Sequence, residues 1–354
     1  MTAAIAAAIA LPLEHGILAA GQSASLAAAA LLIGAILLAS VRIAHHAEEL
    51  AELVGEPYGT MILTLAAVLV EVVILAIMMS HTSSITLVRD AIYSAVMLDI
   101  NALLGISALL GGLKHGEQSY NVDSGNTYVV MILVAIGVSM ILPGFIEPAH
   151  SRAFSLFTVV VMVMLYALFL RLQTGKHSYF FSYALAGHAK THTDSKPARK
   201  AATSELAVPI VFIAAGVVLV GLLAEVMSRT LDAGLAGIGV PPIIAPLLVA
   251  TISATPEILT AIRAALANRM QPVVNIALGA SLSTVILTVP ILEALALVSG
   301  TQLQMALTPS QMVMVFLTLG AASINVNDGE TNAIEGMTHF VLFAAFLMLS
   351  VLGA

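Results

Sequence analysis

The sequence predicts an all-α polytopic membrane protein of ten core transmembrane helices, arranged as two inverted five-helix repeats. Three observations carry that prediction. Apolar residues make up 60% of the 354-residue chain and charged residues 9%, against about 25% charged in ordinary globular domains. Many apolar runs reach the ~20 residues that a bilayer core requires. Two matched stretches, Gly55-Glu56-Pro57 and Gly239-Val240-Pro241, each open an apolar helix holding a carboxylate, Glu71 in the first and Glu257 in the second.

The elements follow in order. Met1 to Pro12 is apolar and Ala-rich with no basic stretch, so it is not read as a cleaved signal peptide. It is short for a span and reads as a partial or interfacial helix. Ten spans are expected near 22–42, 59–80, 90–112, 126–147, 153–172, 205–228, 242–265, 272–298, 309–326 and 333–353. The expected breaks are polar or Gly/Pro clusters: His45-His46-Ala47-Glu48-Glu49, Ser80-His81-Thr82, Lys114-His115-Gly116-Glu117-Gln118 and Asn325 to Asn332. With no Cys, the chain has no disulfide framework, thiol nucleophile or Cys-based metal site. With no Trp, any interfacial aromatic belt must use Tyr and Phe.

The longest polar segment, 173–204, separates five spans (22–172) from five more (205–353). It carries Lys176, Lys190, Lys196, Arg199 and Lys200. Basic loops favour the cytoplasm, and alternation then puts Arg42, Lys114, Arg171, Arg263 and Arg269 on the same side. Only Arg89, Arg152 and Arg229 fall outside, ten basic residues against three. The central loop is therefore expected to be cytoplasmic and both termini outside. Five spans per half make the first helices of the two halves run in opposite senses, so any repeat must be inverted. Glu71 lies 16 residues after Gly55 and Glu257 lies 18 after Gly239. Leu109-Leu110-Gly111-Gly112 is expected to end helix three as Leu297-Val298-Ser299-Gly300 ends helix eight.

Glu71 is the single carboxylate between Met61 and Met79. A charge so deep in a span is costly and marks a functional group by default. Carboxylate oxygens suit hard cations such as Ca²⁺, Na⁺ or Mg²⁺. In an apolar setting a carboxylate without a cation takes up a proton. That competition is the physical basis of cation/proton exchange. The plainer reading is a structurally paired or snorkelling Glu. Glu257 follows Pro256, which is expected to prevent a regular helix and free backbone carbonyls. Such carbonyls are tolerated at this depth only where they line a cavity. Ser253 and Thr255 add hydroxyl oxygens. Pro256 as a kink with a capping Glu is the plainer alternative.

Asp99 and Asn101 lie in helix three, and Asn275 and Ser281 in helix eight. Positions two apart do not share a helix face, so one of Asp99 and Asn101 is expected to face a cavity while the other packs or pairs. Each of these four is a candidate cation/proton ligand, weighed against an ordinary interhelical hydrogen bond. Asp328 and Glu330 read as an acidic mouth or a solvated helix-start turn, with the turn preferred. Glu335 is placed deeper. Arg263 reads equally as a carboxylate partner or a cytoplasmic anchor. His177, His188 and His192 of the central loop could bind a transition metal or sense pH; solvated side chains are the simpler reading. His45-His46-Ala47-Glu48-Glu49 lacks the zincin spacing. The chain shows no phosphate-cradling loop, so an ion gradient is the expected energy source. A cation channel without proton coupling is one alternative class. An intramembrane hydrolase is the other, but no nucleophile–base pair lies at membrane depth.

Several motifs together resemble the cation/proton exchangers of the calcium/cation antiporter superfamily, in particular the bacterial ChaA-like branch of calcium/proton and sodium–potassium/proton antiporters. They are Gly55-Glu56-Pro57-Tyr58-Gly59-Thr60 through Glu71-Val72, and Gly111-Gly112-Leu113-Lys114-His115-Gly116-Glu117-Gln118. In the second half they are Pro256-Glu257 through Asn268, Gln271 and Asn275, then Leu278-Gly279-Ala280-Ser281, Leu287-Thr288-Val289-Pro290 and Asp328-Gly329 through Glu335-Gly336. The resemblance covers both halves. It implies an essential Glu in helix two and in helix seven, alternating access, and Ca²⁺/H⁺ exchange. Ala67-Val68-Leu69-Val70-Glu71 stands where eukaryotic-type calcium exchangers have Gly-Asn-x-x-Glu, and Ile258 where they often have His, so Na⁺ or K⁺ in place of Ca²⁺ remains an alternative. Glu71 and Glu257 are the expected metal ligands. The expected partners are inorganic cations, protons and the lipid bilayer. No nucleic acid and no permanently bound cofactor are expected.

Overall fold

The computed structural model describes residues 2–55, 58–82, 84–174 and 203–353. Glu56, Pro57 and most of the polar segment predicted at 173–204, including its lysines, Arg199 and its three histidines, lie outside the described residues. Almost everything described is helical. The first half holds α1 (Thr2–Ala19), α2 (Gln22–Val54), α3 (Tyr58–His81), α4 (Leu87–Met97), α5 (Gly105–His115), α6 (Val122–Ile136) and α7 (Ser151–Thr174). The second holds α8 (Thr203–Leu235), α9 (Ile244–Leu266), α10 (Met270–Ser283), α11 (Val289–Ser299), α12 (Pro309–Asn325) and α13 (Ala333–Leu352). A π-helical turn at Leu98–Leu104 joins α4 to α5, and a second at Thr284–Thr288 joins α10 to α11.

The halves match in element lengths. The first helices, α2 and α8, have 33 residues each. The second, α3 and α9, have 24 and 23. The π-interrupted third spans, Leu87–His115 and Met270–Ser299, have 29 and 30. Among the described residues nine helical spans are long and apolar enough to cross a membrane. The predicted span at 309–326 forms α12, whose 17 residues are fewer than in any of those nine.

Three boundary expectations are corrected. His45 to Glu49 does not break a helix, because α2 continues to Val54. His45 and His46 reach Glu49 at 3.3 and 2.8 Å, the i,i+4 and i,i+3 pairings that helical spacing creates, and His46 stacks on Phe212. Gly111-Gly112 does not end helix three. The helix runs to His115 and stops at Gly116, whose φ of 81° suits only glycine. Pro256 does not break α9, which is continuous around it. Proline removes one donor, the one owed to the Ile252 carbonyl, without ending a helix that neighbours support. At the N-terminus, α1 runs through Pro12 to Ala19, beyond the predicted Met1–Pro12.

The chain divides into two compact units, one formed by Met1–Val88 and Ala198–Pro256, the other by Arg89–Pro197 and Glu257–Ala354. Each draws on both halves of the sequence. In the first unit α2 and α8 pack along their length in opposite directions. Leu26 lies against Gly234 and Ile43 against Gly216, and Gln22 donates to the carbonyls of Gly234 and Ala236 at the end of α8. Antiparallel first helices are what an inverted repeat produces. Arg229 of α8 bonds Glu14 of α1 at 2.8 Å and Glu225 at 3.0 Å.

In the second unit the apolar stretches of Leu87–His115 and Met270–Ser299 are mostly buried, whereas that of Pro148–Gln173 is mostly exposed. These two spans, each broken by a π-turn, therefore form the protein-lined centre of the unit. That is where polar side chains in a membrane fold belong. Small residues let α13 approach α5. A side chain on Gly336 would meet the backbone of Leu109, with the Ala108 carbonyl carbon and Gly105 oxygen at 2.7 Å. Close backbone approach through glycine is a normal way to pack membrane helices. Gly336→Ala must push the two helices apart and is expected to destabilise the fold by about 1–3 kcal/mol. Thermal unfolding in detergent measures this; a native midpoint would contradict it.

Candidate functional site

Glu71 is the fourteenth residue of α3 and Glu257 the fourteenth of α9. The two expected carboxylates thus occupy the same position in matched helices, one in each half. Each helix follows a glycine with positive φ, Gly55 at 78° and Gly239 at 75°. Positive φ at these positions is a backbone conformation that glycine adopts without strain. Glu71 is buried at 2% exposure, and Glu257 is half-buried. They fall in different compact units.

On α9, Ser253 is half-buried one turn before Glu257. Thr251 donates to the Leu247 carbonyl at 2.8 Å and Thr255 to the Thr251 carbonyl at 2.6 Å. A hydroxyl that donates in this way keeps its oxygen lone pairs.

The second unit brings four of the predicted residues together in its buried centre, each with a partner. Ser281 donates to Asp99 Oδ2 at 3.2 Å, joining the first π-turn to α10. Asn101, two residues on, turns to other neighbours. Its Nδ2 donates to Thr318 Oγ1 of α12 at 2.8 Å, and its Oδ1 lies 3.0 Å from His339 Nδ1 of α13. Asp99 and Asn101 therefore face different helices, as their spacing implied, and both are engaged. Asn275 Oδ1 accepts from Gln271 Nε2 at 2.9 Å. Gln271 also donates to Ser124 and accepts from the Asn121 backbone, tying α10 to the start of α6.

The segment after helix three holds the end of the Glu257 helix. Gln118 donates to the Ala265 carbonyl and to Asn268 Oδ1, both at 2.9 Å. Lys114 Nζ donates to the Leu266 carbonyl at 2.9 Å, and His115 lies at the same distance from it. A cationic donor such as Lys114 at a helix C-terminus satisfies one of its last carbonyls and complements its dipole. A short antiparallel ladder, β1 (Gln118–Ser119) on β2 (Glu330–Thr331), joins this segment to the start of α13. There Asn332 caps α13 by accepting from the backbone of Ile334 and Glu335. Asp328 and Glu330 are exposed, and Asp328 accepts from the Glu330 backbone, the geometry of a solvated helix-start turn. Tyr120 donates to the Asn325 carbonyl, and burial pushes its phenol pKa up, with Glu335 and Asp328 adding to the shift. Arg263 is exposed, as an interfacial anchor would be.

Sequence reasoning passed over Thr318, His339 and Glu293, and named Gln271 only as a motif position. Glu293 of α11 is buried at 4% exposure within an apolar span. The rule that singled out Glu71 would have found it. Among the described residues no three His, Asp or Glu side chains converge as a metal site.

A profile of the sodium/calcium exchanger protein family matches residues 24–175 and again 208–352, one match in each half. The chain is 32% identical to the sodium-potassium/proton antiporter ChaA of Escherichia coli over 321 residues, covering 90% of this chain and 86% of that protein. It is 24% identical to a Ca(2+)/H(+) antiporter of Aphanothece halophytica, over 84% of each chain. The fold is that of the solved structure of native YfkE, with a TM-score of 0.75 at 19% identity, over 96% of this chain and 99% of the other. With matched carboxylate helices, antiparallel first helices and a family match in each half, this multi-pass membrane protein belongs to the sodium/calcium exchanger protein family.

Proposed function

We propose that the chain is a secondary antiporter that exchanges cytoplasmic Ca²⁺ for protons, with Glu71 and Glu257 as the groups that carry cation and proton in turn. One observation carries the reading: a single carboxylate at the same position of the second helix in each half. Together the two hold two negative charges, which one Ca²⁺ or two protons neutralise. A neutral loaded state avoids the cost of uncompensated charge at membrane depth, and an empty charged state does not. That difference couples cation movement to proton movement without any chemical reaction, so an ion gradient is the energy source. Asn101, Asn275, Ser253, Ser281 and Asp99 supply further oxygens.

In this reading ten helices form two repeats, 22–172 and 205–353, joined by a cytoplasmic loop at 173–204, in a bacterial inner membrane with both termini outside. Arg89 and Arg229, two of the three exceptions to the loop-charge rule, are ion-paired within helices, which leaves Arg152 as the plain exception. A second reading, Na⁺/H⁺ or K⁺/H⁺ exchange by the same fold, is favoured by the 32% identity to a sodium-potassium/proton antiporter. Uptake of Ca²⁺, Na⁺ and K⁺ into proteoliposomes under one imposed pH gradient tests both. The first reading expects Ca²⁺ uptake to dominate and to vanish when the gradient is collapsed. Larger Na⁺ or K⁺ uptake would replace it with the second. Cation flux that ignores the pH gradient would favour a channel.

A further inference from the structure

Asn101 is held at both ends of its amide by helices remote in sequence. It is fully buried, and Thr318 and His339 are buried beside it at 0% and 2% exposure. Nδ2 donates to Thr318 Oγ1, and Met97 Sδ lies 3.6 Å from both Nδ2 and Oγ1. With Nδ2 donating to Thr318, the atom facing His339 is the carbonyl oxygen, an acceptor only. The 3.0 Å contact is then completed by the His339 tautomer that carries its hydrogen on Nδ1. His339 Nε2 has no hydrogen-bond partner among the described residues, so the ring is oriented through Nδ1 alone.

The backbone explains why His339 reaches this place. Gly105 lies four residues after Asn101, one helical turn on. A side chain there would meet His339 Cβ at 2.8 Å, the Phe340 nitrogen at 3.1 Å and the Gly336 oxygen at 3.2 Å. The missing side chain lets α13 settle against the helix at the level of Asn101. Asp99 and Asn101 both lie in the π-turn from Leu98 to Leu104, two residues apart and so on different faces.

We propose that His339 and Thr318 are positioning residues for cation binding, fixing the Asn101 amide so that its oxygen, not its NH₂, is presented to the ion. A free Asn could rotate its amide and offer donors that repel a cation. Here Thr318 takes the NH₂, and the His339 N–H occupies one lone pair of Oδ1 and leaves the other. The inference rests on Asn101 being a cation ligand. Partners of this kind typically change metal affinity 10–100-fold when removed.

The test is pH-gradient-driven Ca²⁺ uptake by the full chain in proteoliposomes, fitted for half-saturating Ca²⁺ and maximal rate. His339→Ala and Thr318→Val are expected to raise half-saturation roughly tenfold with the maximal rate little changed. His339→Asn places an amide N–H near the Nδ1 position and is expected to restore near-native half-saturation. His339→Gln places it near Nε2 and is not. Thr318→Ser is expected to behave as native. These isosteric pairs keep the test decisive if the Ala or Val variants fold poorly. Native half-saturation in His339→Ala, or equal damage in His339→Asn and His339→Gln, would overturn the inference. Asn101→Ala separates it from its premise. If that variant binds Ca²⁺ normally, the ligand reading falls and the inference with it. If it weakens binding while both positioning variants stay native, only the inference falls.

Discussion

Glu71→Gln and Glu257→Gln are each expected to reduce pH-gradient-driven cation uptake to background. Gln keeps the shape of the side chain and removes its charge. A unit charge about 4 Å from a cation, at an effective dielectric of ~20, is worth about 4 kcal/mol, which is roughly a thousandfold in affinity for a monovalent ion and more for a divalent one. The amide also cannot exchange a proton, so both legs of the cycle fail together. Glu→Asp at either position keeps the charge and is expected to retain partial uptake. Because α3 and α9 carry their carboxylates at equivalent positions, the two Gln variants should be similarly damaged. Undiminished uptake by both would remove the carboxylates from the mechanism.

The second large effect is expected at the head of α4. Arg89 and Asp90 are buried, with Arg89 Nη2 at 2.8 Å from Asp90 Oδ1. Arg89 also donates to the Ala306 carbonyl at 3.1 Å, and Gln311 donates to Asp90 at 2.9 Å. Gln311 is at the same time the reciprocal member of the capping box that starts α12 with Thr308. The cluster thus fastens the α4 and α12 N-termini through one buried charge pair. Arg89→Met strands the Asp90 carboxylate, and breaking a buried pair by removing one partner costs about 3–5 kcal/mol. Replacing both, Arg89→Met with Asp90→Leu, removes the stranded charge and should recover much of that loss. Chemical unfolding in detergent of the single and double variants checks the ordering. A double variant no more stable than the single one would contradict it.

The fold was legible in the sequence where composition speaks. Nine of the ten expected spans coincide with helices long and apolar enough to cross a membrane, the tenth falls on the shorter α12, and Gly55 and Gly239 precede α3 and α9. Boundaries failed where a helix outlasts its apolar run. His45, His46 and Glu49 look like a break because they are polar, yet their spacing pairs them on one helical face. Pro256 looked like a break for a similar reason, but a packed span can lose one donor and continue. The π-turns were not legible, since one extra residue in a buried span changes neither hydropathy nor composition. Of the candidate site, the carboxylates stood out because burying a charge in lipid is so costly. Thr318 and His339 did not, because a hydroxyl or imidazole in a span is ordinary until its partner, more than 200 residues away, is known.

The central claim is that one pair of intramembrane carboxylates binds cation and proton in alternation. Its most direct test is proton movement caused by the cation, with no imposed pH gradient. Proteoliposomes loaded with a pH dye and given external Ca²⁺ should alkalinise inside as Ca²⁺ enters and protons leave, and proteoliposomes of Glu71→Gln or Glu257→Gln should show no change. Ca²⁺ entry without internal alkalinisation, or unchanged alkalinisation in both variants, would contradict the account.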